Sequence, residues 1–337
     1  IQQIQRSVIH YQRGLDRLKG RWQDIGSNGA RYRDADHPYA NDLDLFGPGS
    51  LFELITRCQT RLGEDRLANW FGEPTDRETI LKRQQAIQEL ADAVETRESL
   101  DVLQPPLKET ADQNLLQTWA DKPSNQKPVW LMFLVTALSV ASLGLLYGAY
   151  VGATPLSAFI GVLATQVLIL LVYKPSLHEE FVSAEILHEG LPVTVSVLKL
   201  IENQSSQTAA LIEIQDRITV EGKPPSVRID QLQRHINLLS NCSRNQFLAP
   251  IAIVLGLHFH LTDRIVRWKK RFGPHVSDWL LSIGEWEALL SLAGHHFEFP
   301  RNVFPKIVED GPTLDGTEMR HPLLERESCI PNSVSLN

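Results

Sequence analysis

From Pro128 to Tyr173 the chain runs for 46 residues without an Asp, Glu, Lys or Arg. A helix in the core of a globular domain rarely avoids charge on every face over such a length. The block divides at Gly148-Ala149-Tyr150-Val151-Gly152-Ala153-Thr154-Pro155, a run of turn-forming residues. On either side lie apolar runs, 129–147 and 155–173. At 1.5 Å per residue each reaches roughly 28 Å, close to the hydrocarbon thickness of a bilayer. The pattern predicts two membrane spans joined as a helical hairpin. Trp130, Tyr147, Tyr150 and Tyr173 fall where aromatic rings favour the water interface. Lys122, Lys127 and Lys174 flank the ends away from the turn, so the positive-inside rule puts both soluble parts in the cytoplasm.

The rest of the 337 residues has the charge density of a soluble protein, with 33 basic against 40 acidic residues and a net charge of −7. That balance excludes a disordered chain, a collagen-like repeat and a small basic module that holds nucleic acid by charge alone. Cys58, Cys242 and Cys329 are widely spaced and show no CxxC pattern, so neither a zinc site nor a disulfide framework is expected. Ile1 lies within a polar, helix-like stretch with no signal-peptide features, and the chain is expected to be cut from a longer protein at both ends.

Helix starts are marked. Ser50-Leu51-Phe52-Glu53 and Thr75-Asp76-Arg77-Glu78 fit the capping box, and Glu53 and Glu78 are read as its caps. Ile80, Gln84, Ile87, Ala91 and Val94 form a stripe with one polar interruption. Ser176-Leu177-His178-Glu179, after Pro175, predicts a new helix running through Leu187. Gly222-Lys223-Pro224-Pro225 breaks the chain, and Ser226 then precedes the helical face Ile229, Leu232, Ile236 and Leu239. Further helices are predicted over 248–268 and 276–293. From Pro305 the texture turns to short β-like pieces punctuated by Gly311, Pro312 and Gly316.

Two segments carry a family resemblance. The first is His37-Pro38-Tyr39-Ala40-Asn41-Asp42-Leu43-Asp44-Leu45-Phe46-Gly47 with Gly49-Ser50-Leu51-Phe52-Glu53-Leu54, followed by Thr60-Arg61-Leu62-Gly63, Arg66-Leu67, Trp70, Pro74, Ile80, Arg83-Gln84, Ala86 and Leu90. The second is 282–293, Ser-Ile-Gly-Glu-Trp-Glu-Ala-Leu-Leu-Ser-Leu-Ala, then Arg320-His321-Pro322-Leu323-Leu324-Glu325 and Ile330-Pro331-Asn332. In this order they resemble the core, or lever, domain of the MutS DNA mismatch repair family, most nearly its membrane-spanning bacterial members. The implied fold is mainly α: a MutS-type helical core interrupted by a transmembrane hairpin, then the first β-rich residues of an α/β ATPase domain. The implied organisation is an N-terminal helical segment 1–36, core 37–122, hairpin 123–174, returning core helices 175–304 and ATPase entry 305–337. The mismatch-reading and connector domains are missing, and the hairpin stands where the family's DNA clamp would extend. Gly222-Lys223-Pro224 lacks the pattern of a phosphate loop.

The resemblance implies a membrane-anchored, ATP-dependent DNA-binding protein of the bacterial inner membrane, whose partners are the membrane, DNA and a second copy. ATP and Mg2+ belong to the full-length protein; the present chain, without a phosphate loop, is expected neither to hold them tightly nor to turn ATP over. A membrane-bound scaffold or partner-binding switch with MutS architecture and no DNA function is the alternative. By resemblance Cys329 and Ile330, with Asn332 nearby, pack on the adenine side of ATP. Arg264, Arg267, Lys269, Lys270 and Arg271 form the densest basic run, suited to phosphates of DNA or lipid, against the plainer reading of a solvated helix face. His258, His260, His295 and His296 lack acidic or Cys partners at ligand spacing and are read as core or boundary residues, and His321 as structural; no catalytic or metal residue is expected. Trp70 is expected to anchor the core near Leu289 and Leu292, and Lys269 to lie on the surface.

Overall fold

The computed structural model describes residues 2–103, 114–123, 126–185, 191–309, 313–324 and 329–336. It is mainly helical, with one two-stranded sheet among these residues. The chain forms two compact units: Ile1–Lys108, Val197–Ile218 and Leu280–Asn337 make the first, Glu109–Ser196 and Thr219–Trp279 the second.

In the first unit, α1 (Gln2–Leu18) lies on α5 (Val94–Val102), and Tyr11 Oη donates to Glu98 at 2.7 Å. Between them come α2 (Leu51–Ile55), α3 (Arg61–Gly72) and α4 (Arg77–Asp92). Ser50 caps α2 as expected, its Oγ accepting the Glu53 N–H at 3.3 Å. Glu53 reaches further than a capping box requires: its carboxylate accepts the N–H groups of Gly49 at 2.7 Å and Asp24 at 2.8 Å. The second box is corrected. Asp76, not Thr75, caps α4, accepting the Thr79 N–H at 2.9 Å, while Glu78 pairs with Lys82 at 3.0 Å. A carboxylate is favoured there over a neutral hydroxyl by the positive end of the helix dipole. The buried face of α4 is Ala86, Ile87, Leu90 and Ala91; Val94 belongs to α5 because the helix breaks at Ala93. Gln84, the polar interruption of the expected stripe, donates to the Pro305 carbonyl at 3.1 Å.

The core of this unit gathers Phe46, Phe52, Leu67, Ala68, Cys58 and Ala288. Trp70 packs on this cluster beside Leu292 but is only half-buried, with the Arg83 guanidinium 3.9 Å from its ring centre. The fully buried indole of this unit is Trp286 instead. The unit also holds α10 (Ala209–Ile218), whose start is fixed by Glu89 accepting the N–H groups of Gln207 at 2.9 Å and Thr208 at 2.8 Å. Strands β1 (Leu314–Met319) and β2 (Asn332–Leu336) pair antiparallel, Leu314 opposite Leu336 and Met319 opposite Asn332, with a bulge between. Gly311, Pro312 and Glu325 lie outside the described residues.

The second unit holds α6 (Asn114–Asp121), α7 (Val129–Tyr150), α8 (Leu156–Glu185), α11 (Pro225–Arg244) and α12 (Leu248–Val254). Helix α9 (Leu191–Asn203) and the long α13 (Leu257–Glu298) each supply residues to both units. Helices α7 and α8 pack along one another, and over Val129–Tyr150 and Leu156–Pro175 they are long and apolar enough to cross a membrane. Only 22% and 6% of the two apolar windows are buried within the protein. Helix α7 runs three residues past its expected end, and the turn proper is Val151–Pro155, with Gly152 at φ 77°. Gly148 is required where it stands: a Cβ would sit 2.6 Å from Thr154 Oγ1. The expected new helix at Ser176 is a continuation, since α8 passes through Pro175 to Glu185; Leu187 lies outside the described residues.

The prediction for 248–268 and 276–293 fails at both joints. The break falls at Gly256, whose φ of 60° ends α12, and α13 then continues through Pro274. Proline removes one helical hydrogen bond. Here Phe272, Val276 and Trp279 are all buried around it, and that burial outweighs the lost bond. Ile229, Leu232, Ile236 and Leu239 form the buried face of α11 as expected, after Pro225 at its first turn.

Candidate functional site

One face of α13 is built to receive another stretch of chain. Gly284, Glu287, Ser291, Gly294 and Glu298 recur at alternating spacings of three and four, so they align on one side of the helix. Residues 57–63 lie against this face. Glu287, fully buried, accepts from Thr60 Oγ1 at 2.6 Å and from Thr60 N at 3.0 Å. Thr60 Oγ1 also accepts the Gly63 N–H at 3.0 Å and so caps α3. Ser291 Oγ accepts the Arg57 N–H at 3.0 Å. The glycines provide clearance: a Cβ on Gly284 would come within 2.8 Å of the Leu62 carbonyl oxygen, and one on Gly294 within 2.7 Å of Arg57 Nε.

At the end of this face Glu298 binds two arginines, Arg17 Nη2 at 2.7 Å and Arg57 Nη2 at 2.5 Å. Burial alone would raise the Glu298 pKa, but the hydrogen bonds from Arg17 and the charge of Arg57 win and hold it below the ordinary carboxylate range. Beside it His295 is pushed down to about 4, by burial first and then by the Arg57 charge. Cys58, enclosed by the same contacts, is pushed up to about 12 by burial and by Glu287. These residues position α2, α3 and α13, and burial with a raised pKa keeps the Cys58 thiol from acting as a thiolate nucleophile. Of these, His295 and Cys58 were named in the sequence only as a core or boundary residue and an unpaired cysteine, and Arg17, Arg57 and Glu298 were not singled out, although the small and acidic residues at helical spacing from 284 to 298 were their visible signal.

The basic run of α13 is dispersed around the helix. Arg264, Arg267, Lys270 and Arg271 are exposed, whereas Lys269 is buried with its Nζ 4.9 Å from the centre of the Trp119 ring. The expected surface position of Lys269 is therefore wrong. Its neighbours explain why: Trp119, Trp268 and Phe272 make an aromatic layer against which the lysine stem lies. Arg267 pairs with Asp263. Arg271 binds Glu221 through Nε at 3.0 Å and Nη2 at 2.7 Å, and holds that carboxylate below its usual range. Arg264, Arg267 and Lys270 are the members whose exposure suits a phosphate. Gly222 and Lys223 form a tight turn, with Glu221 and Gly222 at φ 52° and 65° and Val220 paired to Lys223.

Cys329, Ile330 and Asn332 sit before and at the start of β2. Cys329 is buried, its carbonyl accepting from Arg320 Nη1 at 3.1 Å; Ile330 is 80% exposed, and Asn332 is exposed opposite Met319. The structure brings them together in sequence but turns Cys329 inward and Ile330 outward. His321 lies beside Cys329, its carbonyl 4.0 Å from Sγ. His296 stacks on Phe304 and His260 faces Thr136 at 3.4 Å. A small cleft bounded by Val135, Gln166, Ala252, Gly256, His258 and Phe259 is lined by apolar groups apart from Gln166 and His258, and carries no charge to hold a phosphate. Among the described residues no cluster of His, Cys, Asp and Glu could hold a metal ion.

The MutS domain III family model matches residues 39–145. DNA mismatch repair protein msh3 from two strains of Aspergillus fumigatus, A1163 and Af293, is 32% identical over 106 residues in each case. That stretch is 31% of this chain and 9% of each relative, so the chain spans only a small part of the length of the curated relatives it matches. No solved structure matches it significantly. Thr60 and α3 lie within the matched segment while Glu287 and α13 lie outside it, and over residues 39–145 the chain is similar to domain III of the MutS family.

Proposed function

We propose that this chain is the core of a membrane-anchored, ATP-dependent MutS-like protein, in which domain III is continued directly into a membrane hairpin. One observation carries the reading: the domain III match extends to residue 145, well inside the apolar helix Val129–Tyr150, so the family's fold and the candidate span share a helix. Exposed apolar side chains such as Phe133, Val140, Ile160 and Val172 support a lipid environment, since a soluble surface does not sustain so continuous an apolar face. Lys127 and Lys174 at the ends away from the turn support a cytoplasmic location for both soluble parts.

In this reading ATP and Mg2+ act in a domain beyond β2, with Cys329, Ile330 and Asn332 at its adenine side, in a dimer. Helix α13, which supplies residues to both units, carries the resulting movement. Arg264, Arg267 and Lys270 are the contacts offered to DNA or lipid phosphates. The test is the full-length protein in nanodiscs. Nucleotide-dependent DNA binding that weakens steeply with salt, and weakens further in Arg264→Ala/Arg267→Ala, supports the DNA function. Membrane insertion and ATP turnover without DNA binding would replace it with a membrane scaffold or switch, and extraction of the protein by carbonate would remove the membrane reading.

A further inference from the structure

Between Arg244 and Asp263 the chain again has no Asp, Glu, Lys or Arg, yet it is bent and too short in either limb to span a bilayer. We infer that residues 245–262 form a re-entrant loop whose limbs dip into the lipid beside α7 and α8 and turn back at Gly256. The inference rests on the membrane reading of those two helices.

Length is the first argument. The descending limb contains α12, the returning limb is the first turns of α13, and the two are bent by 79° at Gly256. The limbs, 245–255 and 257–262, have 11 and 6 residues, about 16 and 9 Å as helix. Neither exceeds about half of the ~30 Å hydrocarbon thickness, so a chain entering at Asn245 reaches about mid-depth at the bend and turns back toward the same side at Asp263.

Position agrees with that depth. Helix α12 packs on both α7 and α8. Its last carbonyl, Val254 O, accepts from Gln166 Nε2 at 3.1 Å, and Gln166 lies near the middle of the Leu156–Pro175 span. A Cβ on Gly256 would run into Val135 and Ser139, near the middle of α7. On the way back Phe259 packs with Leu131, Leu177 and Tyr173, at the lysine-flanked ends of both spans. The returning limb therefore climbs from mid-span to the cytoplasmic end, where exposed Arg264 and Arg267 emerge.

Polar satisfaction is the third argument. A helix break in hydrocarbon is tolerated only where its freed backbone groups find partners in the protein. Here Gly256 N donates to Ile253 O at 3.0 Å, Leu255 N to Ile251 O at 2.9 Å and Phe259 N to Gly256 O at 3.1 Å, while the side chain of Gln166 takes Val254 O. Gln166 is itself satisfied by Ser142 Oγ, which donates to its Oε1 at 3.0 Å. The face turned away from α7 and α8 exposes Phe247, Leu248 and Ile251, of which Phe247 is 86% exposed. Continuity with the apolar surface of the hairpin makes acyl chains the occupant of that face.

The test places a nitroxide at Ile251→Cys, Phe247→Cys, Val140→Cys and Gln88→Cys in the full chain reconstituted in phosphatidylethanolamine/phosphatidylglycerol vesicles. The three native cysteines are buried, and the unsubstituted protein serves as the labelling blank. Collision with oxygen is compared with collision with a water-soluble nickel chelate. Expected is an excess of oxygen over chelate at 251 and 247 of the same sense as at 140, against the reverse at 88. Lipid-like behaviour at 140 with chelate-dominated collisions at both 251 and 247 overturns the re-entrant loop alone. Chelate-dominated collisions at 140 overturn the membrane reading and the loop with it. Exclusion of both probes with dipolar broadening at 251 overturns the loop in favour of contact between two copies of the chain. The two limb positions are read separately, so failure of one variant to fold leaves the other decisive.

Discussion

Thr60 places both its hydroxyl and its amide on one oxygen of Glu287, at 2.6 and 3.0 Å, across 227 residues of sequence. The same hydroxyl caps α3 by accepting from Gly63. Removing it leaves a buried carboxylate short of a donor and a helix start short of an acceptor. Thr60→Val is expected to cost about 2–4 kcal/mol, the sum of a charged buried hydrogen bond and an N-cap. Thr60→Ser, which keeps the hydroxyl, should recover most of it in thermal melts of detergent-solubilised protein.

Two of the glycines at this junction leave no room for a methyl group without a shift of their neighbours. Gly284→Ala meets the backbone carbonyl of Leu62, and Gly63→Ala meets the Glu287 side chain, whose Cβ would be 2.8 Å away. Each is expected to destabilise by about 1–3 kcal/mol, the range for overpacking a tight interior. Gly161→Ala, with open space around it, should change the melting temperature little.

His295 gives the fold an acid limit. Its pKa falls from an ordinary 6.5 to about 4 on folding, so above pH 6.5 both states are neutral and its contribution to stability is fully present. As the pH drops from 6.5 toward 4 only the unfolded state takes up the proton, and up to about 3 kcal/mol is lost. Glu298, whose pKa is depressed, adds a loss that begins near the ordinary carboxylate range. Denaturant titrations of His295→Leu should lose the slope between pH 6.5 and 4.5 and keep the steeper fall below it.

Cys58 is 2% exposed and its thiol is pushed up to about 12. It should resist thiol reagents at pH 8 in the folded protein and react at the rate of unfolding. Prompt labelling of Cys58, located by peptide mapping, would contradict the enclosed junction.

Lys269 and Trp70 exchange the roles that the sequence suggests for them. Lys269→Ala is expected to cost about 1–3 kcal/mol through lost packing and the cation above Trp119, whereas Lys270→Ala should stay within about 0.5 kcal/mol. Trp70→Ala should fall below the ~3–5 kcal/mol of a fully buried aromatic, because the ring is only half-buried, with the Arg83 guanidinium over its face.

These reversals mark where a sequence stops being legible. Apolar periodicity located α11 and the returning helix around Trp286, because a buried face must repeat at helical spacing whatever covers it, whereas the unbroken uncharged run located α7 and α8. The motif residues around Ser50 and Leu67, which carry the resemblance to the MutS core, fall within the stretch that matches domain III of that family. Capping was half legible: Ser50 served as read, but at Thr75-Asp76 two adjacent residues could both cap, and only the geometry chose. Pro274 and Gly256 misled, since the tolerance of a proline depends on burial by residues distant in sequence. Lys269 could not be read because a lysine beside Trp268 fits either a surface or an aromatic layer until Trp119 is seen to supply the second ring. The junction of residues 57–63 with α13 joins segments more than 220 residues apart, and nothing local announces which pairs will meet.

The Arg17–Glu298–Arg57 contact also sets a schedule for biogenesis. Arg57 leaves the ribosome 241 residues ahead of its carboxylate partner; at translation rates of 5–20 residues per second that is a wait of roughly 10–50 s. Until the end of that interval the domain III helices lack the acid that neutralises their arginine, and for most of it the small-residue face of α13, while the apolar hairpin helices are complete about halfway through. The apolar helices α7 and α8 are therefore complete before the first unit can close, and Phe52 and Leu67 lack their final cover until the end of α13 arrives.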